Sequence, residues 1–263
     1  MLAPRRWTPR RRLAAALVVL LAAGGIVAGV LTQSGPACQQ ALIPAYFYPG
    51  ADWAEAIASK PPPKIMIMDM TSSGAGTAPD RNYQAVARRA RAAGITLAGY
   101  SDTDYGRRPA AAVEADVLHY KSWYGVSDIF LDRASSSAGD LAYYRELSAY
   151  IHRAIPGSLV ILNPGDYPDQ SYMSAGDIIV TFEGSYAQYA TLAVPHWADG
   201  YPAARFAALI YAVPATGLPR SFDAARRRNV GYVYVTSQSG INPYGSLPGY
   251  WASEDTIIAA CAG

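Results

Sequence analysis

Ser127-Asp128-Ile129-Phe130-Leu131-Asp132 is a short apolar run flanked by acids, and it reads as a buried β-strand with a carboxylate at its C-terminal tip. Asp177-Ile178-Ile179-Val180-Thr181-Phe182-Glu183 repeats the design. A parallel barrel presents catalytic groups in this way, with the apolar run inside and the acid at the end of the strand. Similar runs along the chain predict eight strands: Leu42–Phe47, Ile65–Asp69, Thr96–Ser101, Asp128–Asp132, Leu159–Asn163, Ile178–Glu183, Ala207–Tyr211 and Gly231–Thr236. Ala/Arg-rich helical segments alternate with them, at Trp53–Ser59, Tyr83–Ala93, Ala110–Trp123, Asp140–Ile155, Gln170–Ser174, Ala187–Val194, Phe222–Arg228 and Ser253–Ala260. Asp80 and Asp140 stand at N-cap positions and Gly94 at a helix end. The alternation predicts an α/β chain folded as a (β/α)₈ TIM barrel. A doubly wound open sheet is the alternative, but no Gly-rich dinucleotide turn follows the first strand.

The predicted strand tips are polar or aromatic: Tyr46 and Tyr48, Asp69, Tyr100 and Asp102, Asp132, Asn163, Glu183, Tyr211 and Thr236. The strand starts are not expected to match them, which marks the C-terminal face as the working face. By strand alternation Asp132 shares a face with Phe130 and Asp128, and Glu183 shares one with Thr181 and Ile179. Both acids are expected to aim into the barrel mouth, with Arg133 turned away or on the rim. A single acid at a strand end commonly holds loop amides. Two, on strands four and six, fit glycoside hydrolysis, which needs one carboxyl as acid and one as nucleophile or base.

Twenty Tyr and five Trp against five Phe support a sugar ligand, because Tyr offers a pyranose both an apolar face and a hydroxyl. Tyr46, Tyr48, Tyr100, Tyr105, Tyr244 and Trp251 fall in predicted tip loops. His119 and His152 lie in predicted helices and His196 in a loop, so neither a metal site nor a Ser–His–Asp set is expected. Ser72-Ser73-Gly74-Ala75-Gly76 lacks the Lys of a phosphate loop. No cofactor is expected.

Residues 1–35 stand apart. Arg5, Arg6, Arg10, Arg11 and Arg12 precede the 19 uncharged residues Leu13 to Leu31. That is an export signal, with Val27-Ala28-Gly29 as a candidate cleavage site, or a membrane anchor if uncleaved. Lipidation at Cys38 is disfavoured, since Gly35-Pro36-Ala37 lacks the usual aliphatic residue. Residues 36–263 then form the exported barrel domain. Five of the 22 basic residues belong to the tail, which leaves 17 against 20 acids and a net charge of about −3. No basic stripe suggests nucleic acid. The two cysteines, Cys38 and Cys261, sit at the ends of the exported domain and are expected to form one disulfide in an oxidising compartment. The domain is expected to be monomeric.

Ile43-Pro44-Ala45-Tyr46-Phe47-Tyr48-Pro49 resembles the opening of the spherulation-specific family 4 (spherulin-4-like) proteins. So do Gly99-Tyr100 with Thr103-Asp104-Tyr105-Gly106-Arg107, Trp123-Tyr124 with Ile129-Phe130-Leu131-Asp132, and Asn163-Pro164-Gly165. The ending resembles it too: Tyr232-Val233-Tyr234-Val235-Thr236, Asn242-Pro243-Tyr244 and Leu247-Pro248-Gly249-Tyr250-Trp251. The resemblance runs from Leu42 to Trp251. It implies a (β/α)₈ fold and kinship with secreted hydrolases of galactosamine-containing polysaccharides in fungal biofilms. Their acids, an Asp-Glu pair after strand four and a Glu after strand six, fall here on Asp132, position 133 and Glu183. The candidate substrate-binding residues are Tyr46, Tyr48, Asp69, Tyr100, Asp102, Tyr105, Asn163, Tyr211, Asn242 and Tyr244. Position 133 departs from the pattern, because it is Arg. Two readings stay open. Either the cation keeps Asp132 ionised as nucleophile or stabiliser while Glu183 is the acid, or the lost acid leaves altered specificity or a non-catalytic carbohydrate-binding barrel. Asp69, where relatives are expected to carry Asn, is a candidate to compensate. Restoring Glu at 133 is expected to retain or raise activity.

Overall fold

The computed structural model describes residues 38–262. Eight parallel strands close into a barrel in sequence order: β1 (Gln40–Ala45), β2 (Ile65–Met68), β3 (Thr96–Asp102), β4 (Asp128–Asp132), β5 (Val160–Leu162), β6 (Ile178–Ser185), β7 (Phe206–Tyr211) and β8 (Tyr232–Val235), with β8 pairing back on β1. The helices are α1 (Ala51–Ala58), α2 (Arg81–Ala92), α3 (Ala110–His119), α4 (Leu141–Ala154), α5 (Tyr186–Ala190), α6 (Leu218–Arg227) and α7 (Trp251–Ala262). The strands read as continuous apolar runs because both their faces are covered. Leu42, Ile67, Ile129, Phe130, Leu131, Ile161 and Val233 are all completely buried. Each such side chain contributes roughly 1.5–3 kcal/mol by leaving water.

Local chemistry places the ends of the elements. Asp80 caps α2 by accepting from the Asn82 and Tyr83 amides, and Gly94, at φ +82°, follows its C-terminus. Asp140 stands before α4 but does not cap it, because its carboxylate accepts from the Ser135 hydroxyl at 2.6 Å. The helix predicted over Ala110–Trp123 stops at His119 and continues as a π-turn, Tyr120–Tyr124. The wider turn lays the Tyr120 ring against Gly99, where a Cβ would come within 2.4 Å of it, and the Tyr120 hydroxyl donates to the Met68 carbonyl. The segment Gln170–Ser174 is a 3₁₀ turn, and α5 is shorter than predicted. Strand starts are not free of polar groups. Asp128 and Asp177 accept the Leu159 and Val160 amides and so complete the ladder at the foot of β5, and burial raises the Asp128 carboxyl to about 6.

Cys38 and Cys261 form a disulfide across 223 residues, with Cα atoms 5.3 Å apart. Replacing Cys38 with Ser is expected to lower unfolding stability by about 2–5 kcal/mol, read from chemical denaturation under non-reducing conditions. An unchanged midpoint would show that β1 and α7 stay docked without the bond. The signal or anchor segment lies outside the described residues. Among the described residues, no helix is long and apolar enough to cross a membrane.

Candidate active site

Three adjacent strands bring one amide between two acids. Asp132 ends β4, Asn163 follows β5 and Glu183 lies in β6. The Asn163 Nδ2 donates to Asp132 Oδ1 at 2.7 Å and to Glu183 Oε2 at 2.5 Å. An amide nitrogen carries two hydrogens and can serve both. Two oxygens within 2.7 and 2.5 Å of one nitrogen lie no more than 5.2 Å apart. The Tyr100 hydroxyl on β3 donates to the other Asp132 oxygen at 2.7 Å. Behind this group Tyr46 packs edge-on against Tyr100 and Tyr244. The buried Tyr244 hydroxyl lies beside Glu183.

Burial dominates the electrostatics. It raises the Glu183 carboxyl to about 7, helped by the Asp132 charge and opposed by the Asn163 amide and the Tyr244 hydroxyl. It raises Asp132 as well, against hydrogen bonds from Tyr100 and Asn163. Asp132 accepts from the Tyr100 hydroxyl and the Asn163 amide, and Glu183 accepts from the same amide with the Tyr244 hydroxyl beside it. A cavity of about 400 Å³ opens over the pair, lined by Tyr105, Asp132, Arg133, Asn163, Asp166, Glu183 and Tyr211 among others.

Not every candidate reaches this cavity. The Tyr48 hydroxyl, on an exposed side chain, donates to Asp80 and accepts from Asn82. Asp69 folds onto its own loop and accepts the Thr71 and Ser72 amides. Asp102 is held by Arg133, and Asn242 accepts the Tyr244 amide to turn its loop. Asp166 lines the cavity and was absent from the sequence reading. The signal was present: Gly165, at φ +71°, turns the chain directly after Asn163-Pro164 and brings the exposed Asp166, which accepts from the Ser136 hydroxyl, to the cavity rim.

Simple strand alternation does not set the direction of the Glu183 side chain. The β6–β7 register slips between Val180 and Phe182, which leaves Thr181 as an extra residue. Parity does not carry through such a bulge. The bulge sets where Glu183 points.

Arg133 does not hold Asp132 ionised. Its guanidinium forms a two-bond pair with Asp102, at 2.9 and 2.6 Å, and reaches Asp104 at 3.1 Å. The register explains it, since Asp102 pairs with Asp132 across β3 and β4, and the next residue falls within reach of the β3 tip. Glu at this position therefore does not simply restore an acid. It removes the cation between two carboxylates and adds a third. Arg133→Glu is expected to lose about 1–2 kcal/mol of stability, or a few degrees in Tm, with a smaller loss for Arg133→Ala. Equal melting temperatures for all three proteins would reverse this account.

A parallel barrel closed in sequence order, with two carboxylates tied together at its C-terminal mouth, is a glycoside-hydrolase-like barrel. Solved structures agree on the fold. A chitinase from Rhizomucor miehei superposes with a TM-score of 0.52 at 9% identity, covering 84% of this chain and 99% of that one. An endo-1,4-beta-mannanase from Eisenia fetida gives 0.51 at 10%, covering 86% and 91%. The sequence is more specific: the chain belongs to the spherulation-specific family 4, whose family model matches residues 40–258. Spherulin-4 of Physarum polycephalum is 33% identical over 237 residues, which is 83% of this chain and 70% of that protein. Sph3 of Aspergillus clavatus, solved in complex with GalNAc, superposes with a TM-score of 0.71 at 26% identity, covering 85% of this chain and 98% of that one.

Proposed function

We propose that the protein is an extracytoplasmic glycoside hydrolase that cleaves an amino-sugar polysaccharide with Glu183 as general acid and Asp132 as nucleophile. One observation carries this reading: the single Asn163 amide that holds both carboxylates, with their nearer oxygens within 5.2 Å. Retaining hydrolases place their carboxyls about 5–5.5 Å apart, and inverting ones need about 6.5–9.5 Å to admit a water. The spacing favours retention. Glu183, with its carboxyl raised to about 7, keeps a proton to give to the glycosidic oxygen. As that C–O bond breaks, Asp132 bonds to the anomeric carbon. Glu183, now a carboxylate, takes a proton from water, and the hydroxide oxygen displaces Asp132. The proton that left Glu183 is thereby restored.

The substrate class follows from charge and kinship. Asp132, Asp166 and Glu183 line the cavity, and Arg133, the one cation among the described lining residues, is paired with Asp102 and Asp104. An acidic mouth attracts a cationic, de-acetylated sugar. The GalNAc bound to Sph3 supports the galactosamine skeleton. The disulfide supports an oxidising compartment. Reducing-end release from acetylated and de-acetylated galactosamine polymers tests the reading, with the first-formed anomer followed by NMR. A second reading, a carbohydrate-binding barrel without catalysis, is favoured by the acid missing at position 133. Binding without cleavage across that panel would establish it.

A further inference from the structure

The rim of the cavity is built on an unusual backbone. Asp104, Tyr105 and Arg133 all have positive φ, at 46°, 56° and 46°, and none is glycine. Such conformations are disfavoured for side-chain-bearing residues and persist only where the surroundings enforce them. Here the enforcing contacts are visible. The Tyr105 amide donates to the Arg133 carbonyl at 2.7 Å. The Thr103 hydroxyl lies within 2.8 and 2.9 Å of the Asp132 and Arg133 carbonyls. Arg133 bridges Asp102 and Asp104, and Arg107 also holds Asp104.

All these contacts centre on one aromatic ring. The guanidinium carbons of Arg107 and Arg133 stand 5.6 and 5.5 Å from the Tyr105 centroid. Both guanidinium groups also bind the same Asp104 Oδ1, at 2.9 and 3.1 Å. The shared oxygen ties both guanidinium groups to the loop that carries the ring. Tyr105 is 48% exposed and lines the cavity that holds both acids.

We propose that Arg133 is a positioning residue: with Asp102, Asp104 and Arg107 it locks Tyr105 at the cavity rim as a stacking platform for a second sugar unit, next to the one being cleaved. The platform rests on the hydrolase reading and sharpens it, because the site then recognises a polymer rather than a single sugar. It also gives the arginine at position 133 a function, in trapping the β3–α3 loop instead of supplying a proton. An exposed aromatic ring suits the apolar side of a pyranose, and the two neighbouring cations fix its angle.

The test measures binding on Glu183→Gln protein by titration calorimetry, with N-acetylgalactosamine and galactosamine oligomers of increasing length and each monosaccharide. Affinity should rise with length in this background. Adding Tyr105→Ala or Arg133→Ala should weaken long-oligomer binding by about three- to tenfold and leave monosaccharide binding unchanged. Tyr105→Phe should keep the affinity. The double change should cost no more than either single change, since both act through one ring. Unchanged length dependence in Tyr105→Ala, or fully additive losses, overturns the platform and leaves the hydrolase reading standing. Tyr105 is half-exposed, so its substitutions decide the matter even where Arg133→Ala fails to fold. If no oligomer binds and the wild type releases no reducing ends, the hydrolase reading falls and takes the platform with it.

Discussion

Glu183→Gln is expected to lower turnover at least about 10²-fold, the low end for losing a positioned proton donor. The amide keeps the shape of the carboxylic acid and carries no charge, so the barrel should stay folded. The pH profile is the sharper readout. Burial and the Asp132 charge raise Glu183 to about 7. In the wild type the acid form is present below that value and is lost above it, so kcat/KM should fall as pH rises through about 7. The variant should keep a small residual rate without that alkaline limb. Full activity in Glu183→Gln would exclude it as the acid and turn attention to Asp166, the third acid lining the cavity. Asp132→Asn should be comparably slow, because it removes the nucleophile without moving the amide that orients it.

Asn163→Ala is the second large effect. The amide is the tie between the acids, and it favours the charged form of Glu183. Its removal takes a donor from each carboxylate and lets them separate. Turnover should fall by about 10²-fold, since a displaced acid loses the contribution of its positioning. The alkaline limb should move to higher pH, because a Glu183 without its donor holds its proton more tightly. A near-normal rate with an unshifted profile would mean that Asn163 only fills space. Initial rates across the pH range, with circular dichroism to confirm folding, separate these outcomes.

The barrel was legible because its strands are uninterrupted apolar runs with polar tips; the β4 reading, Asp128–Asp132, coincides with the observed strand. Asp132 and Glu183 stood out as acids at the ends of two such runs, and their catalytic roles are the proposal made above. What single-strand patterns do not carry is register. That Asn163 bridges Asp132 and Glu183 depends on three strands meeting at one height, and the Arg133–Asp102 pair depends on β3 and β4 lying in register. The bulge at Thr181 has no sequence mark, since Val180-Thr181-Phe182 is an ordinary strand tripeptide. The π-turn was hidden too, because its cause is the space above Gly99, distant in the chain. Candidates such as Tyr48 and Asp69 stood at the expected tips, but nearby polar groups had already claimed them.

The bond between Cys38 and Cys261 makes the domain closed twice over, once as a sheet and once as a covalent loop. Their Cα atoms are 5.3 Å apart, a gap that a very short peptide spans. The order of elements along the chain is then a convention rather than a constraint. Joining these ends and opening the chain at the exposed Pro156-Gly157 turn between α4 and β5 gives a circular permutant with every strand neighbour preserved. The new ends would emerge at the foot of the barrel, opposite the mouth. For anyone displaying the domain on a surface or fusing it to a second module, that is a place to attach it which leaves the cavity facing outward.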